Sequence, residues 1–444
     1  MKYFSIHVKD KIKKFNKIID VDPDKSISIR FFLLASNAYG VSKGYNILES
    51  EDVKATILAL KKLGIKIIKK KSCYYVCGNG LNGFNIKKKL TLNFENSGTL
   101  GRLLPSFLIH YPKKIKLTGD SSLSKRDFFR IIEPLEKIGA RFTPEKKFNL
   151  PFYITGSEIP LPINYEEKRG SAQCKSSVLF AALNCPGITT IKALKSRDHS
   201  EIILKMIGAN IKVKKKKKYD LIYLKGQKEF KAFDLHVPGD ISSASFLIVL
   251  TILTNDSELK IKNVNLNPTR TGILTILKRM NAKINIKNKK YKYGELVGDI
   301  IAKTSKNIKS INCPKSIVPF AIDEFPIIFL VAARANGISR FSNLKELNLK
   351  ESKRLNLMNE ILNKIGIKTE ITNSSIKIWG NPKLKLKKMF SINTMYDHRI
   401  AMVSVIVGLI FGGNFKISDG NSISTSFPNF FKKIKLLGGK YEIK

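Results

Sequence analysis

The sequence predicts an α/β protein assembled from six copies of one structural unit, and two series of recurring phrases predict it. The first series is the end of an amphipathic helix, then a glycine, then a strand. It reads LKKLGIKI around Gly64, LEKIGARF around Gly139, LKMIGANIKV around Gly208, LKRMNAKI around Asn281, LNKIGIKTEI around Gly366 and IKLLGGKYEI around Gly438, at steps of 75, 69, 73, 85 and 72 residues. The Gly, or Asn in one copy, stands where a helix stops in the left-handed conformation those residues tolerate best. Six copies at nearly one period mean one unit used six times.

The second series runs about forty residues ahead of the first, and each member is a short polar cluster opening a long apolar run. In order these are DKSISIRFFLLAS from Asp24, ENSGTLGRLLPSFLI from Glu95, GSAQCKSSVLFAAL from Gly170, PGDISSASFLIVLTIL from Pro238, IDEFPIIFLVAARANG from Ile322 and YDHRIAMVSVIVGLI from Tyr396. Capping residues followed by an apolar run mark a helix N-terminus. These helices are apolar nearly all round, which predicts burial. Strand-like runs lead into several of them: TLNF before Glu95, DLHV before Pro238 and SINT before Tyr396. KIKLTG, TTIKA, ELKIKNV and NFKISDG lie between the two helix series as further strands. The unit therefore reads strand, buried helix, strand, exposed helix, strand.

The 444 residues, 43% hydrophobic, suffice for two or more domains with substantial cores. The N-terminal MKYFSIHVKDKIKK lacks an apolar h-region, and the longest apolar runs are too short and interrupted to span a bilayer. A cytoplasmic location without membrane association is expected. The net charge of +45 invites a nucleic-acid reading, but the lysines spread through all six repeats and no aromatic ladder accompanies them. Their distribution fits solvated faces, with one run, Lys214 to Lys218, in a strand turn. The five cysteines form no metal-ligand pattern, and an odd count in such a compartment predicts free thiols.

The openings of the six buried helices carry residues that do chemistry: Lys25, Ser26 and Arg30; Asn96, Gly98 and Thr99; Ser171 and Gln173; Asp240 and Ser242; Asp323 and Glu324; Asp397, His398 and Arg399. Capping alone does not call for Lys, Arg, Asp and His at one structural station. Helix N-termini with fixed arginines make anion sites.

At this point the residues match a family. DKSISIR, NSGT, SAQCKS, SRDHSE, PGDISSASF, NPTRTG, IDEFP, KES-R at Lys350 to Arg354, DHRIAM and SFPNF at Ser426 stand in the order they take in the enolpyruvyl transferases. Together they span residues 24 to 430. Within that family the chain resembles the EPSP synthases, and SAQCKS and SFPNF look like their second sequence class. The resemblance implies two similar domains, each of three βαβαββ units in an inside-out α/β arrangement, with the active site in the cleft between them. One domain would be 24–238, the other 1–23 plus 239–444. It implies transfer of the enolpyruvyl group of phosphoenolpyruvate to the 5-hydroxyl of shikimate 3-phosphate, a step towards chorismate and the aromatic amino acids. No metal and no cofactor are implied. The partners are the two substrates, with no nucleic acid, no membrane and a monomeric state.

The motif matches also imply roles. Lys25 would touch both substrates and share in catalysis. Ser26, Arg30, Ser171, Ala172, Gln173, Ser196, Arg197, Asp323 and Lys350 would hold shikimate 3-phosphate. Asn96, Gly98, Arg126, Gln173, Arg354 and Arg399 would hold phosphoenolpyruvate, since a planar fork suits carboxylate and phosphate. Asp323 would accept the hydroxyl proton, Glu351 would deliver a proton to carbon, and His398 would assist. Several positions depart from the family's pattern: Asp22-Pro23 in place of Pro-Gly, Ile29 where the second class has His, Asp127 after Arg126 in place of Pro, Asn348 in place of Arg, and Lys353 in place of Asp. The sister transferase acting on UDP-N-acetylglucosamine carries a reactive Cys shortly before the arginine that matches Arg126. Here that loop reads GDSSLSKR, without Cys.

Overall fold

The computed structural model describes residues 4–386 and 389–444. Its helices alternate along the chain: Lys25–Ala35 (α1), Glu51–Lys62 (α2), Gly98–Leu103 (α3), Phe129–Ile138 (α4), Ala172–Ala182 (α5), His199–Met206 (α6), Ile241–Leu253 (α7), Gly272–Arg279 (α8), Phe325–Ala333 (α9), Arg354–Lys364 (α10), His398–Phe411 (α11) and Phe430–Leu436 (α12). The odd-numbered helices are the apolar ones and are buried. Every residue of α9 is buried, as are Ile27 to Ala35 of α1 and Ile241 to Ile252 of α7. The even-numbered helices bury one stripe, as their amphipathic patterns require.

All six even-numbered helices end alike. Gly64, Gly139, Gly208, Asn281, Gly366 and Gly438 have φ of 86°, 121°, 80°, 66°, 83° and 89°. In each case the next N–H reaches back five residues: Ile65 to Leu60 O at 3.1 Å, Ala140 to Leu135 O at 3.1 Å, Ala209 to Leu204 O at 2.9 Å, Ala282 to Leu277 O at 3.0 Å, Ile367 to Leu362 O at 2.9 Å and Gly439 to Ile434 O at 2.9 Å. This is the Schellman closure, which satisfies carbonyls the helix end would otherwise leave open. The recurring glycine is a chain-reversal device, and each copy delivers its helix into the next strand.

The chain divides into two compact units. One comprises Pro23–Val237 together with Lys292–Glu295. Its core gathers Phe31, Phe32, Phe107, Phe128, Phe152 and Phe180, with the rings of Phe107 and Phe180 stacked at 5.0 Å. Three four-stranded sheets surround α1, α3 and α5. In each sheet the edge strand that leads into a buried helix pairs parallel with its neighbour: Asp234–His236 with Tyr39–Tyr45, Leu90–Asn93 with Ile115–Thr118, and Asn164–Glu167 with Ile188–Leu194. The remaining pairs are antiparallel. Lys292–Glu295 is the turn between the strands Lys283–Lys292 and Glu295–Lys303. His199 Nδ1 lies 2.6 Å from Glu295 Oε1, both buried.

The other unit comprises Met1–Asp22, Pro238–Tyr291 and Leu296–Lys444. In its core α7, α9 and α11 pack on one another. The N-terminal segment completes two of its sheets. Ile6–Val8 lies between Phe415–Ile417 and Glu442–Ile443, and Asn16–Asp20 runs parallel to Glu258–Asn265. The third sheet, Gly337–Phe341, Ser375–Gly380 and Thr369–Thr372, has three strands. Its parallel edge is reduced to the isolated bridges Lys309↔Asn336 and Asn312↔Arg340. Among the described residues no helix is long and apolar enough to cross a membrane.

Candidate functional site

In the first unit, Asp24 caps α1 by accepting from Ile27 N at 2.9 Å, which makes Lys25 the first helical residue. Lys25 Nζ lies 2.9 Å from Asp52 Oδ2. One turn on, Arg30 is buried and divides its guanidinium among three acceptors: Ser200 Oγ at 2.8 Å, Ser176 Oγ at 3.1 Å and Ser26 O at 3.0 Å. The two serine hydroxyls are 2.6 Å apart. Their chain neighbours Lys175 and Glu201 form a buried ion pair of 2.6 Å. Arg30 is therefore locked in orientation before any ligand arrives.

A second group in the same unit forms around α3. Ser97 caps this helix, accepting from Leu100 N at 3.3 Å, and Gly98 begins it. A Cβ at Gly98 would stand 2.8 Å from Arg126 Nη1 and 3.1 Å from Arg102 Nη1, so glycine is what lets two guanidiniums close on the backbone. Arg126 Nη2 donates to Asn96 Oδ1 at 2.7 Å, and Asn96 Nδ2 donates to Asp120 Oδ2 at 2.7 Å. Ser171 caps α5, accepting from Cys174 N at 3.3 Å, which puts Ala172 and Gln173 in the first turn. Gln173 Oε1 accepts from Arg102 Nη1 at 2.9 Å, and its Nε2 donates to Thr99 Oγ1 at 3.3 Å. Asn96, Gly98, Arg126 and Gln173 are thus gathered, with Arg102 and Thr99 between them. Ser196 is buried, its hydroxyl without a hydrogen-bond partner among the described residues, and Arg197 is half-buried just before α6.

In the second unit Asp323, 9% exposed, lies 3.2 Å from Lys350 Nζ and 3.5 Å from Arg354 Nη1. Arg354 opens α10 and is buried. Its Nε donates to Asp397 Oδ2 at 2.8 Å, its Nη2 donates to Asp397 Oδ1 at 3.2 Å, and Nη2 also donates to Glu351. Asp397 caps α11, accepting from Arg399 N at 2.9 Å and Ile400 N at 3.4 Å, and takes a further bond from Ser352 Oγ at 2.8 Å. Burial opposes the charge on both Arg354 and Asp397. Their mutual attraction, with Glu351 and Asp323 on the guanidinium, prevails, raising the Arg354 pKa and lowering that of Asp397. Arg399 Nη1 donates to Asp323 O at 2.9 Å and lies 3.5 Å from Glu324 Oε1. His398 is buried at the start of α11. A neighbouring buried network joins Arg270 Nη2 to Asp240 Oδ1 at 3.0 Å and Ser242 Oγ at 2.8 Å, and Ser242 Oγ in turn donates to Glu324. Asp323, Lys350, Glu351, Arg354 and Arg399 are thus one connected cluster.

Sequence reasoning missed Asp52, Arg102, Ser176, Ser200 and Arg270 as partners. Arg102 was findable, since it stands four residues after Gly98 on one helix face. Asp52, twenty-seven positions from Lys25, carried no local signal.

The departures have local structural roles. Asp22 accepts from Asn429 N at 3.0 Å and Asn429 Nδ2 at 2.9 Å. Ile29 is buried in the core. Asp127 Oδ1 accepts from Phe129 N at 2.7 Å at the start of α4. Asn348 Oδ1 accepts from Leu355 N at 3.1 Å, and its Nδ2 donates to Asn356 at 2.9 Å. Lys353 is exposed, and Arg354 draws its pairing from Asp397, Glu351 and Asp323 instead.

The family model described as EPSP synthase (3-phosphoshikimate 1-carboxyvinyltransferase) matches residues 9–434. A 3-phosphoshikimate 1-carboxyvinyltransferase of Zymomonas mobilis is 41% identical over 430 residues, covering 96% of this chain and 94% of that protein. The one from Endomicrobium trichonymphae is 39% identical, covering 95% and 98%. Among solved structures, EPSP synthase from Acinetobacter baumannii superposes with a TM-score of 0.87 at 34% identity, covering 99% of this chain and 100% of that one. The enolpyruvyl transferase NikO from Streptomyces tendae shares the fold, with a TM-score of 0.77 at 13% identity and coverage of 100% and 99%. With the repeat architecture and the arginine and carboxylate clusters described above, these matches over nearly the whole length show that the chain belongs to the EPSP synthase family.

Proposed function

We propose that this chain catalyses the family's reaction in the shikimate pathway, giving 5-enolpyruvylshikimate 3-phosphate and phosphate from shikimate 3-phosphate and phosphoenolpyruvate. The carrying observation is Asp323, a buried carboxylate between Lys350 at 3.2 Å and Arg354 at 3.5 Å. Cations at that range favour the ionised form, and an ionised carboxylate is a base. In the addition step Asp323 takes the proton of the 5-hydroxyl as its oxygen bonds to C2 of phosphoenolpyruvate, and Glu351 delivers a proton to the methylene carbon. In the elimination step Glu351 takes a proton back from that methyl group, the C–O bond to phosphate breaks with its electron pair leaving on phosphate, and the double bond reforms. Glu351, the proton shuttle, shares the Arg354 guanidinium with Asp323, so both carboxylates sit on one support.

Both substrates are anions, and preset cations offset their repulsion. Lys25, Ser26, Arg30, Ser171, Ala172, Gln173, Ser196, Arg197, Asp323 and Lys350 are assigned to shikimate 3-phosphate. Lys25, Asn96, Gly98, Arg126, Gln173, Arg354 and Arg399 are assigned to phosphoenolpyruvate, with His398 assisting. The locked Arg30 and the guanidinium of Arg126 close against Gly98 support this division. The protein acts as a monomer in the cytoplasm. Phosphate release from phosphoenolpyruvate should require shikimate 3-phosphate. Release driven equally well by UDP-N-acetylglucosamine, or by neither acceptor, would overturn the assignment.

A further inference from the structure

The group around α3 contains a buried cation that the assignments above leave idle. Arg102, 9% exposed, carries its guanidinium 5.5 Å from the centre of the Phe128 ring and 3.1 Å from where a Cβ of Gly98 would stand. Its Nη1 donates to Gln173 Oε1 at 2.9 Å. A guanidinium has five N–H donors and no acceptor, so only the oxygen of an amide can meet it. The opposite orientation of the Gln173 amide would set N–H against N–H. With the oxygen engaged, the amide turns its NH2 away from Arg102; one hydrogen goes to Thr99 Oγ1 at 3.3 Å, which leaves the second as the donor the amide can offer. Phosphoenolpyruvate presents only oxygen acceptors at its carboxylate and phosphate, so a glutamine offering its oxygen would repel it.

We propose that Arg102 is a positioning residue that fixes the amide of Gln173 with its NH2 as the group offered to phosphoenolpyruvate. The inference rests on the assignment of Gln173 to that substrate. Arg102 acts through Gln173, so its effect should vanish where Gln173 is absent.

The test is a double-mutant cycle of Arg102→Ala and Gln173→Ala in the full-length enzyme, read by phosphate release and by urea unfolding. Each single variant should raise KM for phosphoenolpyruvate about 10-fold to 100-fold, the range for a hydrogen bond to a charged group. The double variant should be no worse than the poorer single variant within about 2-fold, because groups acting as one unit are not additive. Arg102→Lys keeps the charge but loses the planar fork, and should also be impaired. Gln173→Glu guards against a misfolded Arg102→Ala. Its carboxylate still accepts from Arg102, so it should fold, but it has no donor to offer and should be at least as impaired as Gln173→Ala. Multiplying effects in the double variant, or near-normal KM in Arg102→Lys or Gln173→Glu, would overturn the proposal while Gln173 keeps its place. A Gln173→Ala enzyme indistinguishable from the parent would remove the assignment of Gln173 itself, and this inference with it.

Discussion

Replacing Asp397 by Asn tests the buried cluster at its centre. Asp397 is fully buried and receives Arg354 twice, Ser352 once and two backbone N–H groups of α11. Asparagine keeps the shape and caps helices well, so the α11 terminus survives. The lost element is the charge facing Arg354, and one amide N–H would now point at a donor. Removing one partner of a buried ion pair costs roughly 3–5 kcal/mol. Arg354 keeps Glu351 and Asp323, so we expect a cost at or just below the bottom of that range, about 2–3 kcal/mol. For a unit of this size that is a fall in Tm of about 4–12 °C. The pH dependence gives a second reading. The Asp397 pKa is depressed in the folded protein, so its stabilisation is present above the unfolded value near 4 and is lost as pH falls through the folded value. Urea unfolding of parent and variant should therefore show a constant stability gap from about pH 5 to pH 8, narrowing below about pH 4. A gap under about 0.5 kcal/mol at pH 7, or one that widens in acid, would refute the cluster's role.

Three further outcomes are expected. Asp323→Asn should lower kcat by about 10²–10⁴ with shikimate 3-phosphate binding retained; calorimetric titration alongside turnover checks both, and near-normal turnover would remove the base assignment. Gly98→Ala places a methyl 2.8 Å from Arg126 Nη1 and should raise KM for phosphoenolpyruvate about tenfold while Tm changes by only a few degrees; an unchanged KM would show that Arg126 can step aside freely. Neutralising the exposed Lys214 to Lys218 should cause only a modest, salt-sensitive change in kcat/KM, screened over about 10 Å near 0.1 M salt, whereas Arg126→Lys should impair phosphoenolpyruvate use at every ionic strength. The reverse order of severity would make the basic surface the functional element.

Local chemistry carried most of the architecture into the sequence. The six glycine or asparagine stops were legible because a left-handed residue after an amphipathic helix is a local demand, and all six close by the same backbone hydrogen bond. The buried helices were legible because they lack a polar face, and their first turns because caps sit next to what they cap, as Asp24, Ser171 and Asp397 do. The motif residues Asp323, Lys350 and Arg354 were likewise visible as types in a pattern.

Their partners were decided by tertiary structure. Arg30 is oriented by serines 146 and 170 positions away, and Arg399 by the backbone carbonyl of Asp323, 76 positions away. The strand Ile6–Val8 finds its neighbours at the opposite end of the chain. No local rule states such pairings, because they depend on how the repeats fold back on one another. The sequence by itself determined which side chains stand at the helix openings; only the folded chain decided which of them are locked by a partner, such as Arg30 and Gln173, since hydrogen bonds form between neighbours in space.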